Sequence, residues 1–120
     1  MKIRQYLALG IVLMGFIHLI ATFSPIIAGK LAPLELASRH AFTYMSSMCG
    51  LMLMLGGLII VMLADKEKEH KFLKIPMIIT ETMLVINGIS AVCFMPSNPC
   101  AWIVIVLALP IPFISDRIRK

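Results

Sequence analysis

Two ionisable side chains lie inside long apolar runs of this sequence: His18 in GFIHLIAT and Glu81 in ITETMLVINGIS. An imidazole can serve as a base, a metal or haem ligand, or a hydrogen-bond partner; a carboxyl can carry a proton. Hydrocarbon penalises both unless they are paired or neutral, so each marks a candidate site. Two cysteines, Cys93 and Cys100, flank MPSNP, where two prolines force the chain to reverse. A structural disulfide, a pair of free thiols, and a redox or metal site are all open to them. They do not form a Cys-x-x-Cys pair, and Cys49 lies in another apolar run. A disulfide clip is therefore expected, provided their alpha carbons come within about 7 Å.

Helical projection tests which polar residues can share a site. At about 100° per residue, Thr80, Glu81, Asn87, Gly88, Ser90 and Ala91 fall within one half of a helix. Thr43, Ser46, Ser47, Gly50, Met54 and Gly57 share a similar arc on another, and Met14, Gly15, His18 and Thr22 on a third. Lipid rewards none of these small, polar faces, so they should meet. Measured from the cytoplasmic ends, His18 and Asn87 both lie roughly 18–20 Å deep and Glu81 only about 9 Å. The expected ligand site is thus His18, Thr22, Ser47 and Asn87 in the outer half, with Glu81 closing the bottom of the seam. Glu35, Arg39, His40 and Tyr44 form its expected outer rim. The competing structural reading has His18 bonded to Asn87 or a serine, with the small residues serving close packing. Glu81 is then protonated and inert, or snorkels to the interface.

Met45, Met48 and Met52 offer soft thioether donors of the kind copper prefers. They project away from the glycine face, and methionines also fill ordinary apolar surface. No metal site is assigned to them. The sequence has no phosphate loop, zinc motif, catalytic triad or paired carboxylate, so no catalytic residue is named, and the cofactor stays open.

The elements that must position these residues follow from composition. The chain has 120 residues, 60% hydrophobic and 14% charged, with a mean hydropathy of +0.97. A soluble domain of this length cannot hide so much apolar surface. Four apolar segments are read as helices over about 5–28, 40–64, 75–95 and 101–115, the first too long for a signal-peptide core. The expected fold is a single all-α domain over residues 1–120, an integral membrane antiparallel four-helix bundle. Nine of the eleven basic residues, including Lys2, Arg4, four lysines between Lys66 and Lys74, and the C-terminal group, fall on one side of it; Lys30 and Arg39 fall on the other. The positive-inside rule then puts both termini in the cytoplasm. The loop DKEKEHK mixes signs, which reads as a solvated connector and not as a nucleic-acid site.

Gly15 and His18 as G-x-x-H, SRHAFTY before the glycine-rich second segment, and MPSNPCAW at the last turn together resemble small four-helix bacterial membrane proteins of the DoxX-like type. The resemblance covers most of the chain in layout and about a dozen positions in identity. It implies a compact antiparallel bundle and brings no activity or catalytic residue. Small multidrug exporters are similar in size, but they carry an essential carboxylate in helix 1, and this chain has none there. The expectation is a non-catalytic, multi-pass protein of a bacterial or archaeal cytoplasmic (inner) membrane. It either binds a small apolar ligand, lipid or quinone, or serves as an accessory subunit, alone or as a homo-oligomer, with Gly56 and Gly57 admitting a partner helix. Two other classes stay open: a proton-coupled transporter using Glu81, and a membrane-embedded redox or haem protein using His18.

Overall fold

Ser24 and Pro25 decide where the first helix stops. In the computed structural model, which describes residues 2–119, α1 spans Ile3–Thr22. The Ser24 hydroxyl then accepts from the Ile27 amide at 3.4 Å and caps a new short helix, α2, Pro25–Leu31. Pro25 has no N–H to extend the earlier ladder and is preorganised for a first helical turn. The single helix expected over 5–28 is therefore two helices. The second long helix, α3, spans Leu36–Leu63 and starts four residues before the expected His40. Two 3-10 turns, Lys66–Lys68 and Lys71–Leu73, lead into α4, Lys74–Phe94.

The last apolar segment also differs from expectation. Asn98 caps α5, Pro99–Ala108, by accepting from the Cys100 amide at 3.0 Å. Pro110 then interrupts the run, and α6 follows as Pro110–Arg119. The described residues contain no strand, so the chain is all-helical. Ile3–Thr22, Leu36–Leu63 and Lys71–Phe94 are each long and apolar enough to cross a membrane.

Small residues set how closely the helices pack. Adding a Cβ to Gly15 would bring it 2.7 Å from the Gly50 carbonyl oxygen, and adding one to Gly57 would bring it 2.7 Å from that of Ala8. Gly15 meets Gly50 and Ala8 meets Gly57, so α1 and α3 run antiparallel with their backbones in close approach at two levels. Gly56 meets Leu84 of α4, and Gly88 meets Ile105 of α5. Helix α5 packs back against α1. The polar and small faces do meet. Gly56 and Gly57 are buried within the molecule, however, so neither admits a partner helix.

The interior is apolar around Ile11, Ile60, Met77 and Ile111, all fully buried. Large apolar side chains also cover the outside, including Phe94, Phe72, Ile26 and Met62. Such an apolar exterior is a liability in water and the normal condition of a helix in lipid.

Candidate functional site

The end of the molecule where α1 finishes and α3 begins holds a hydrogen-bonded group built from these two helices. Thr22 Oγ1 donates to the His18 carbonyl oxygen one turn earlier, at 2.8 Å. The same hydroxyl lies 2.7 Å from Ser46 Oγ, which lies 3.0 Å from His18 Nε2. Across the interior, Cys49 Sγ meets Asn87 Oδ1 of α4 at 3.5 Å, a weak thiol contact. His18, Thr22, Ser46 and Asn87 lie on the small, polar stripes of their helices, and Cys49 lies beside the stripe of α3.

These groups border two adjoining cavities. The larger, about 540 Å³, is a cleft between the N-terminal half of α3 and the C-terminal half of α4, walled by side chains such as Phe42, Met45, Met83 and Phe94. His18 and Thr22 form part of its boundary from α1. A smaller space of about 160 Å³ continues toward α5, against Met14, Cys100 and Val104. His18, Cys49, Asn87 and Asn98 line both, so polar groups mark the junction of two apolar spaces. The larger volume falls within the usual range of small-molecule sites.

The expected site residues divide. His18, Thr22 and Asn87 border the cleft, whereas Ser47 does not: its hydroxyl donates back to the Thr43 carbonyl at 2.7 Å. Ser46, one position away, makes the contact with His18 instead, because it lies on the side of α3 that faces α1. The expected rim does not assemble. Arg39 donates to the carbonyls of Leu34 and Ala32 at 2.7 and 2.6 Å and closes the α2–α3 connection. Glu35 is the N-cap position of α3, and His40 and Tyr44 are exposed; none of the four borders either cavity.

Glu81 belongs to a different place altogether. Arg4 donates through Nη2 to Glu81 Oε1 at 2.5 Å and through Nη1 to Glu67 Oε2 at 2.7 Å. Ser115 Oγ donates to Glu81 Oε1 at 2.6 Å. All four residues are buried, and Glu81 borders neither cavity. It closes a charged cluster at the opposite end and takes no part in the His18 seam. The sequence pattern places Arg4 among the basic residues that set the topology, and Glu67 in the mixed-sign connector DKEKEHK. The signal for this cluster is Glu81: a carboxylate in an apolar helix calls for a cation within reach, and the Arg4 guanidinium supplies it.

No protein family, curated protein or solved structure matches the chain. Function therefore rests on the site alone.

The three cysteines are free thiols in this structure. Cys93 is exposed near the end of α4, while Cys100, in the first turn of α5, borders the smaller cavity, and the expected clip is not formed. Among the described residues, no three His, Cys, Asp or Glu side chains are grouped to hold a metal ion.

Proposed function

We propose that the protein is a non-catalytic, multi-pass protein of the cytoplasmic membrane that binds a small apolar ligand in the cleft between α3 and α4. In this reading α1, α3, α4 and the broken α5–α6 segment are four antiparallel spans, with both termini in the cytoplasm. The observation that carries it is the 540 Å³ apolar cleft with His18, Ser46 and Asn87 at its inner end. A lipid-like body fits the walls, and the few polar groups orient a head. Ligand binding is preferred to the accessory-subunit role because the glycines that would receive a partner helix are already packed within the molecule.

Organic extraction of protein purified from native membranes, followed by mass spectrometry, tests the reading. A stoichiometric lipid or quinone, lost in a Met45→Trp variant that fills the cleft, is the expected result. Protein free of any such molecule, and unable to take one up from native lipid extract, would refute it. For the topology, a reporter fused after Lys120 should report cytoplasm; a periplasmic signal would overturn the orientation.

A further inference from the structure

The hydroxyl protons around His18 can be assigned one by one, and they define the head group the cleft accepts. Each hydroxyl has one proton to donate. That of Thr22 goes to the His18 carbonyl, so the 2.7 Å contact between Thr22 and Ser46 must use the Ser46 proton. Ser46 Oγ then has only lone pairs to offer His18 Nε2 at 3.0 Å, so Nε2 carries the hydrogen. In the neutral ring this leaves Nδ1 as a bare acceptor. No side chain is hydrogen-bonded to His18 Nδ1, and His18 borders both cavities, so the ring has an acceptor to offer there.

Donors lie at the same junction. Asn98 Oδ1 accepts from the Cys100 backbone N–H, which fixes its amide nitrogen as the remaining group. Asn87, with its oxygen toward Cys49, likewise leaves its amide nitrogen over. Both asparagines line both cavities. No Asp, Glu, Lys or Arg borders either space, so nothing there neutralises a charged head.

We propose that the cleft binds a neutral lipid alcohol: its O–H donates to His18 Nδ1, its oxygen accepts from an asparagine amide at the junction, and its chain lies between α3 and α4. This rests on the ligand-binding reading above and goes further by specifying the head. A ketone or ether lacks the donor that Nδ1 requires, a carboxylate would oppose its lone pair, and an ammonium would be buried without a counter-ion.

The test uses the full-length protein in phosphatidylcholine nanodiscs and a diazirine-bearing hexadecanol, with cross-links mapped by mass spectrometry. Labelling is expected on α3 and α4 within the cleft, around Met45 and Met83. Hexadecanol should displace the probe at about one-tenth the concentration needed for methyl hexadecyl ether, the ratio expected for one lost hydrogen bond in a buried site. Hexadecylamine and hexadecanoate should compete no better than the ether. Ser46→Ala, which releases the ring to exchange tautomers, should shrink the alcohol-to-ether ratio to about threefold or less while labelling persists. Nitrogen NMR of the ring gives a second readout, with Nδ1 unprotonated and Nε2 protonated in the unaltered protein. Equal competition by alcohol and ether, stronger competition by the acid or amine, or a protonated Nδ1 would overturn the head-group assignment while leaving the cleft a ligand site. Absence of competable labelling in the cleft would instead sink the ligand-binding reading beneath it.

Discussion

Arg4 and His18 lie on one helix, fourteen residues and roughly 21 Å apart, in opposite surroundings. Around Arg4 the groups are charged and sealed: two carboxylates from separate parts of the chain close on it, one of them also held by the Ser115 hydroxyl, leaving 1% of the residue exposed. Around His18 they are neutral, half-buried and open to a cleft. The contrast follows from what low-dielectric surroundings demand. A charge there must be enclosed by partners, whereas hydroxyls, amides and a neutral imidazole need only a few hydrogen bonds and can border empty space. Closure suits a tie between elements; openness suits a site that receives something.

The largest expected effect is at the closed end. Arg4→Leu removes the guanidinium shared by Glu67 and Glu81, and reversible unfolding in mixed micelles should show a loss of about 3–5 kcal/mol. Glu81→Gln keeps a hydrogen-bonding group beside Ser115 and should cost less, about 1–3 kcal/mol. A loss below 1 kcal/mol for Arg4→Leu would mean that the cluster is no tie at all.

The next effect tests the close helix contact on which both regions depend. Gly57→Ala places a methyl 2.7 Å from the Ala8 carbonyl oxygen, and backbone against backbone leaves α1 and α3 little choice but to part. A destabilisation of about 1–3 kcal/mol is expected. Gly29→Ala is the matched control: its Cβ meets nothing within 4 Å, so the change should be neutral or stabilise α2 by up to about 1 kcal/mol. Similar losses for the two variants would show that helix approach is not set by these glycines.

Ser46→Ala should cost only about 1 kcal/mol of stability, although it alters head-group selectivity. Combined with Arg4→Leu, it should be additive to within about 0.5 kcal/mol, because the two sites share no partner. A larger coupling in the double-mutant cycle would mean that the two regions communicate.

The smallest effect lies at the molecule's exposed charged edge. Lys2 Nζ donates to Asp65 Oδ1 at 2.8 Å and Gln5 Nε2 to Oδ2 at 3.1 Å. The Lys2 contact first, and then that of Gln5, hold the Asp65 carboxyl below its ordinary range. Because the folded value is the lower one, this contribution is present above the unfolded carboxyl's pKa of about 3.9 and disappears as pH falls through the folded value. Carboxyl NMR should show the depressed titration, and Lys2→Ala should move it back toward the ordinary value. Solvent around this exposed pair keeps the effect on stability slight. An unchanged titration in Lys2→Ala would show that this ion pair is absent in solution.

Much of this was legible in the sequence because it depends on local pattern. Apolar runs long enough to span hydrocarbon, glycine stripes at helical spacing, and prolines that reverse the chain declare themselves without knowledge of neighbours. His18, Thr22 and Asn87 could be assigned to inward faces by projection alone. Glu81 was noticed for the same reason, since a carboxylate in an apolar helix stands out against its surroundings. The choice of Ser46 over Ser47 was not legible: adjacent residues differ by about 100°, and only the rotation of α3 against α1 decides which hydroxyl meets the imidazole.

Helix content and the presence of polar groups within apolar helices were determined by the sequence, through length, hydropathy and the 3.6-residue period. Which polar groups meet was decided by tertiary structure. Projection gives a direction around one helix, but pairing also depends on relative depth, on rotation, and on where the connecting turns return the chain. Arg4, Glu67, Glu81 and Ser115 come from separate segments, and only packing brings them within hydrogen-bond distance. The cleft is tertiary in the same sense: it is the space left where the N-terminal half of α3 and the C-terminal half of α4 part, and no single helix carries the record of an empty volume.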